Sequence, residues 1–352
     1  MTLPADDPAS AARDLFASAV AQFGPASTLI VGHFDADGLS AVAILARAFA
    51  AAGRPYETRI LGKGENPWDP AFAAEVAKRA PGGLIVTDLG ARGDAIAPGV
   101  ATILIDHHVR TGTPPLTTVI SGNGLDPEPT SALLAWWAAA ALAPVDDLLW
   151  LAGLGMIGDM REDGDFSELT EAQRRWGKTA IRNAVSLVNA PRRAAAADAS
   201  PALALLMKAN GPKAVLSGEH PETAQLVAAK EEVKLALDAA KRVPPRVQGD
   251  VALIAFHSPC QIHPLIAQQW RGRLKDKIVL AANTGYRDGW VHFAARTANG
   301  TNLIDFLAGH RPPGADAHYG NGHVQATGGA LRPADWNSFV RGLGFPEQQV
   351  AQ

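Results

Sequence analysis

The run Ser27-Thr28-Leu29-Ile30-Val31-Gly32, followed at once by His33-Phe34-Asp35-Ala36-Asp37-Gly38, decides how the chain is read. The first half is a short, mostly apolar run of the kind that forms a strand buried on both faces. The second half places one imidazole and two carboxylates directly beyond that strand. Working outward, an Ala-rich helix is expected over 39–52, ending at Gly53, then a short strand over 58–61 and a helix over 71–80. Two more continuous apolar runs, 84–87 and 102–105, read as strands, and Val119 with Ile120 as another. Buried strands alternating with helices predict the α/β class, with a doubly wound parallel sheet. Helices are expected next over 129–142, 145–157 and 167–188.

Residues 190–220 read as helical and connecting. Alternating charges over 221–243 predict a long exposed helix, stopped by Pro244 and Pro245. Beyond lie strands expected over 251–256, 278–283 and 290–296, and helices over 262–270 and 301–308. The expected domains are a catalytic domain over 1–190, a helical linker over 191–245, and a smaller α/β domain over 246–352.

Three of the strand-like runs end in acids or histidines: His33 to Gly38, then Thr87-Asp88, then Asp106-His107-His108. In a doubly wound sheet, ligands bind beyond the carboxyl ends of the strands. A fourth acid, Asp159, follows a helix at Gly155 to Gly158. Taken singly, Asp88 reads equally as a helix cap, and Asp159 reads more readily as a cap than as a ligand. Together they predict a cation site, because crowded carboxylates either protonate or need a cation to neutralise them. Mixed imidazole and carboxylate donors without thiolate suit manganese, cobalt or iron better than a structural zinc site.

The pattern His33-x-Asp35-x-Asp37-Gly38, Asp88, Asp106-His107-His108 and Asp159 resembles the DHH phosphoesterases. The stretches Phe293-Ala294-Ala295-Arg296-Thr297 and Gly320-Asn321-Gly322-His323-Val324-Gln325-Ala326-Thr327-Gly328 resemble their DHHA1 associated domain. The resemblance implies two manganese ions, with magnesium or cobalt as alternatives. His33, Asp35 and Asp88 would hold the first. Asp37, Asp88, His107 and Asp159 would hold the second, with Asp88 bridging. His108 would face the substrate phosphate, and Asp106 would orient one of the histidines. Arg296, Gly320, Gly322, His323 and Gly328 would bind substrate in a C-terminal domain that closes over it. The activity implied is attack of a metal-activated water on phosphorus.

The form His-x-Asp-x-Asp-Gly is similar to the RecJ-like exonuclease branch. The Pro-Asp-Gly-Asp form of enzymes acting on very short oligonucleotides and phosphoadenosine phosphate is absent. With the sequence ending at Gln352, the further oligonucleotide-binding domain of bacterial RecJ nucleases is not expected. The substrate expected is therefore a short single-stranded DNA or RNA. The alternatives are a cyclic-dinucleotide phosphodiesterase, a phosphoadenosine phosphate phosphatase, and an inactive nucleic-acid-binding scaffold.

Composition agrees with these expectations. The chain has 352 residues, 47% of them hydrophobic and 19% charged, enough for a sizeable core. A net charge of −3 gives no whole-surface positive field for long nucleic acids. The single Cys260 excludes an internal disulfide and a cysteine-based zinc cluster. The start, MTLPADDPAS, lacks a basic and then apolar leader, so a cytoplasmic protein with no membrane partner is expected. Trp136 and Trp137 read as packing residues, and the basic run Arg271 to Lys277 as a solvated edge.

Overall fold

A computed structural model describes residues 3–316 and 319–351. Met1 and Thr2 of the N-terminal stretch, and Gln352, lie outside the described residues. The chain divides into two compact units, residues 1–192 with 197–228, and residues 193–196 with 229–352. No helix among the described residues is long and apolar enough to cross a membrane.

The first unit runs α1 (Pro8–Val20), β1 (Thr28–His33), α2 (Ala36–Ala51), β2 (Tyr56–Leu61), α3 (Pro70–Arg79), β3 (Gly83–Thr87), β4 (Thr102–Asp106) and β5 (Thr117–Ser121). Then follow α4 (Ser131–Ala139), α5 (Leu149–Gly158), α6 (Ser167–Trp176), α7 (Lys178–Val188), α8 (Ser200–Lys208), α9 (Pro212–Ser217) and the start of α10 (Pro221–Ala240). The strands form one sheet in the order β2-β1-β3-β4-β5, every pair parallel. Side chains alternate between its faces. Ile30, Ile85, Ile103, Ile105 and Ile120 join the larger core, which contains α1, α2, α4 and α5 residues. Leu29, Val31, Leu84, Val86, Leu104 and Val119 join a smaller core with Phe72 and Val76 of α3. Each buried aliphatic side chain contributes about 1.5–3 kcal/mol. Both faces are thus covered, which is why the strands read as continuous apolar runs rather than alternating ones.

Several element boundaries differ from expectation. Helix α2 begins at Ala36 instead of residue 39, because Asp35 caps it by accepting the Gly38 N–H at 3.2 Å. The helix expected over 167–188 is two helices, split where Gly177 takes φ +87°. Helix α1 was not anticipated, although Asp7 accepts from the Ser10 N–H and Pro8 follows at the first helical position.

The second unit adds the rest of α10, β6 (Arg246–Gln248), β7 (Val251–Phe256), α11 (His263–Arg273), β8 (Ile278–Arg287), β9 (Trp290–Thr297), α12 (Leu303–Gly309), β10 (Asn321–His323), β11 (Ala326–Leu331) and α13 (Pro333–Gly342). Its sheet has the order β10-β11-β9-β8-β7-β6 and is mixed, with β7 and β8 parallel. Leu280, Phe293 and Ala295 pack with Trp336 and Phe339 of α13. Ile254, Val279 and Ala281 pack with Ile266 of α11 and Val233 of α10. Helix α10 is mostly exposed as expected, but Leu226, Val233 and Ala240 form a buried stripe along it. The glycine-rich stretch over 320–328 contains the hairpin β10-β11.

Gly38 is required by close approach. A Cβ there would stand 2.6 Å from the carbonyl oxygen of His33 and 2.7 Å from its Cβ. Gly38→Ala is expected to lower unfolding free energy by about 1–3 kcal/mol, the usual cost of overpacking. Urea denaturation of the metal-free protein measures it, and a wild-type midpoint would contradict the tight β1-α2 turn.

Candidate metal centre

Strand register builds the site. Gly32 pairs with Thr87 and Thr87 with Ile105. The next residues, His33, Asp88 and Asp106, therefore leave three adjacent parallel strands side by side. Asp88 does so at φ +60°, a left-handed conformation unusual for a non-glycine residue and a common form of strain at functional sites. Its N–H is held by the carbonyl of Ile105 at 3.0 Å.

Two helices supply the rest. Asp37 lies in the first turn of α2 and is fully buried. Its Oδ2 and Oδ1 accept the N–H groups of Ser131 and Ala132, at 2.8 and 2.9 Å. Those amides belong to the first turn of α4, where helical N–H groups lack partners within the helix. The carboxylate satisfies them, and the positive end of the helix offsets its charge. The Ser131 hydroxyl donates to Asp88 Oδ1 at 3.0 Å. Asp159 is the C-cap of α5. Helix α5 comes close because residue 155 is glycine, where a Cβ would stand 2.3 Å from Asp37 Oδ1.

The sequence-selected residues gather into three overlapping groups, His33-Asp35-Asp88, Asp37-His107-Asp159 and Asp88-His107-His108. In each group the potential ligand atoms lie within 4.8 Å of one another. His33 Nδ1 is 3.0 Å from Asp35 Oδ2 and 3.6 Å from Asp88 Oδ2. His107 Nε2 is 3.1 Å from Asp159, 3.6 Å from Asp88 and 3.9 Å from Asp37. Asp88 thus faces both histidines, one with each oxygen. Asp106 belongs to none of the three groups and bonds at their edge. It accepts from the N–H groups of Gly90 and His108 at 3.0 and 2.9 Å, and its Oδ1 is 2.9 Å from His108 Nδ1. That leaves Nε2 of His108 as the ring nitrogen for a ligand or substrate.

The electrostatics show an excess of negative charge. Burial disfavours the charged form of His33, yet Asp35 and Asp88 outweigh it and raise its pKa to about 10. Burial likewise opposes a charge on His107, and Asp159, Asp88 and Asp37 raise it to about 11. Burial pushes the Asp37 carboxyl well above the usual carboxylate range, and Asp88 and Asp159 push it the same way. For Asp35 burial acts upward, but His33, Arg192 and the Gly38 amide hold it low. Hydrogen bonding to Asp106 raises the pKa of His108.

These residues fit divalent cations. Both ring nitrogens of His107 are buried without a hydrogen-bond partner. Seated cations would take the place of the imidazole protons, since ligating histidines are neutral and ligating carboxylates ionised. Sequence reasoning missed four contributors. Ser131 holds Asp88, Arg192 Nη1 donates to Asp35 Oδ2 at 3.3 Å, Asn189 accepts from the Ala36 N–H at 3.0 Å, and Glu128 lies beside His107. Thr130-Ser131 before an apolar run is a helix N-cap signal that could have located the first of these.

In the second unit, Arg296 lies on β9 and is half-buried. Its Nη1 donates to the carbonyls of Ala295 and Thr327, at 2.8 and 3.1 Å. Burial and then Arg271 push its pKa down. His263 is pushed down to about 3 by burial, then by His292, Arg193 and Arg296, so its ring is neutral. The surroundings are cationic. Gly320 donates its N–H to the Gly328 carbonyl at 3.0 Å, and Gly322 takes φ +140° opposite Thr327. A Cβ at Gly328 would stand 2.4 Å from the Phe293 carbonyl oxygen. His323 ends β10 and is exposed. The expected packing role of the tryptophans agrees with Trp136 donating to the Val145 carbonyl and Trp137 to Glu168.

No protein-family model matches the chain, and no curated protein matches it. Among solved structures it is similar to the exonuclease RecJ bound to manganese, with a TM-score of 0.71 and 19% identity over 99% of this chain and 96% of that one. It is also similar to RecJ in complex with Mn2+ from Thermus thermophilus, with a TM-score of 0.69 and 19% identity over 98% and 55% of the two chains. The Mg2+ complex from that source gives 0.66 and 18% over 97% and 52%. The DHH domain of a member of a ribosomal-protein family gives 0.59 and 14% over 95% and 89%. The chain spans about half the length of the Thermus protein. It has the fold of RecJ and DHH-domain structures, as the sequence led us to expect.

Manganese at one hundred times its Kd is expected to raise the unfolding free energy by about 2.7 kcal/mol. Chelation would reverse the gain, and Asp88→Asn would remove most of it. Denaturation with and without the ion reads all three, and a metal-independent midpoint in the wild type would overturn the site.

Proposed function

We propose that the chain is a manganese-dependent phosphodiesterase that hydrolyses short single-stranded DNA or RNA in the cytoplasm. The observation that carries the reading is Asp88, a buried carboxylate whose two oxygens serve two histidine-carboxylate groups at once. The likeness to RecJ, solved with manganese and with magnesium, supports the metal class and the nucleic-acid substrate. We assign residues 1–190 as the catalytic domain, 191–245 as a helical link and 246–352 as the substrate-binding domain.

His33, Asp35 and Asp88 would hold one cation, and Asp37, Asp88, His107 and Asp159 the other, with magnesium or cobalt as alternatives to manganese. Bound there, the cations supply Lewis-acid activation of water and neutralise charge on phosphoryl oxygens. The protein supplies position. Ser131 and the α4 amides fix the Asp88 and Asp37 carboxylates before substrate arrives. Asp106 fixes the His108 ring, leaving Nε2 to donate to a phosphate oxygen. Arg296, half-buried without a carboxylate partner among the described residues, would grip a second phosphate. Gly320, Gly322, His323 and Gly328 would shape the adjacent substrate contact.

The test is a manganese-dependent panel of a single-stranded 5-mer, a cyclic dinucleotide and phosphoadenosine phosphate, analysed by product length. The 5-mer is expected to turn over fastest. Preference for either other substrate would reassign the specificity, and no turnover by a manganese-loaded protein would leave a binding scaffold. Asp106→Ala combined with His107→Ala is expected to abolish activity. Arg296→Ala is expected to raise KM at least tenfold, as loss of a charge-assisted hydrogen bond costs about 1.5–3 kcal/mol. Its metal content should stay that of the wild type, and lost metal with unchanged KM would contradict the role.

A further inference from the structure

One carboxylate outside the sequence-selected set reaches the metal centre. Glu128 lies in the segment between β5 and α4, and its Oε1 is 3.5 Å from His107 Nδ1. The same oxygen accepts from Arg161 Nη2. Among the described residues no other carboxylate lies within ion-pair distance of Nδ1. The opposite nitrogen, Nε2, faces Asp37, Asp88 and Asp159. The ring is therefore flanked by a ligand cluster on one side and by a single arginine-anchored carboxylate on the other.

A neutral imidazole offers one lone pair, and the partner of its other nitrogen decides which atom offers it. Once cations neutralise the three carboxylates beside Nε2, Glu128 is the negative group left to attract the ring proton. We propose that Glu128, anchored by Arg161, is a positioning residue that holds His107 as the Nδ1–H tautomer and so presents Nε2 to the metal. The inference rests on reading the site as a metal centre. At 3.5 Å the contact is longer than a formed hydrogen bond, so its effect is electrostatic orientation of the ring rather than a fixed tether. The competing role is purely mechanical, with Glu128 serving only to hold Arg161 and the turn after α5.

Manganese titration by calorimetry separates the two roles without recourse to turnover. Glu128→Ala is expected to weaken manganese binding about 10–100-fold, the usual effect of losing a carboxylate behind a metal-bound histidine. Glu128→Gln keeps the shape and an accepting oxygen and should fall between that variant and the wild type. Arg161→Met leaves the carboxylate in place and should cost less than Glu128→Ala. Wild-type affinity in Glu128→Gln and in Glu128→Ala would overturn the proposal, as would an Arg161→Met loss equal to that of Glu128→Ala. If Glu128→Ala does not fold, wild-type affinity in Glu128→Gln alone overturns it. A wild-type protein that binds no manganese would instead overturn the metal-centre reading itself.

Discussion

The first unit is organised around mutual repulsion between buried carboxylates. Asp37 and Asp88 are almost wholly removed from water, with Asp35 and Asp159 in the same cluster. Buried like charges are tolerated only when something of opposite sign completes them. The chain supplies part of the compensation through the two imidazoles, the Arg192 guanidinium and the amides of α4. What remains is negative enough to pull both histidines far above their ordinary proton affinity. A divalent cation is the simplest species that relieves it.

The fold makes this concentration of charge geometrically cheap. Parallel strands in register deliver their next residues to one edge, so His33, Asp88 and Asp106 need no special loop to meet. The helices α2 and α5 cross closely because residue 155 is glycine, and Gly38 allows the tight turn from β1 into α2. Covering both faces of the sheet with apolar side chains lowers the local dielectric around the edge, which strengthens repulsion and attraction alike.

Much of this was legible because the residues concerned obey short-range rules. Continuous apolar runs marked β1, β3 and β4, and the acids directly after them marked residues of the carboxylate-imidazole cluster. Other features depended on tertiary partners. Nothing in the local pattern says that Ser131 would reach a carboxylate forty-three residues away, or that Arg192 would meet Asp35. Glu128 sits in a stretch with no periodicity at all. The break at Gly177 was readable, since glycine inside a helical pattern is a stop signal, yet the apolar spacing on either side masked it. The hairpin β10-β11 was hidden by its glycines, one of which, Gly328, is fixed by the close approach of the Phe293 backbone.

The capping of α4 by Asp37 links an architectural joint to the chemistry. The connection from β5 to α4 can vary in composition, but its far end is pinned to a carboxylate on another helix. Insertions there would be tolerated only where they leave Ser131 and Ala132 in place. The length of an apparently ordinary connection is thereby a dimension of the carboxylate-histidine cluster.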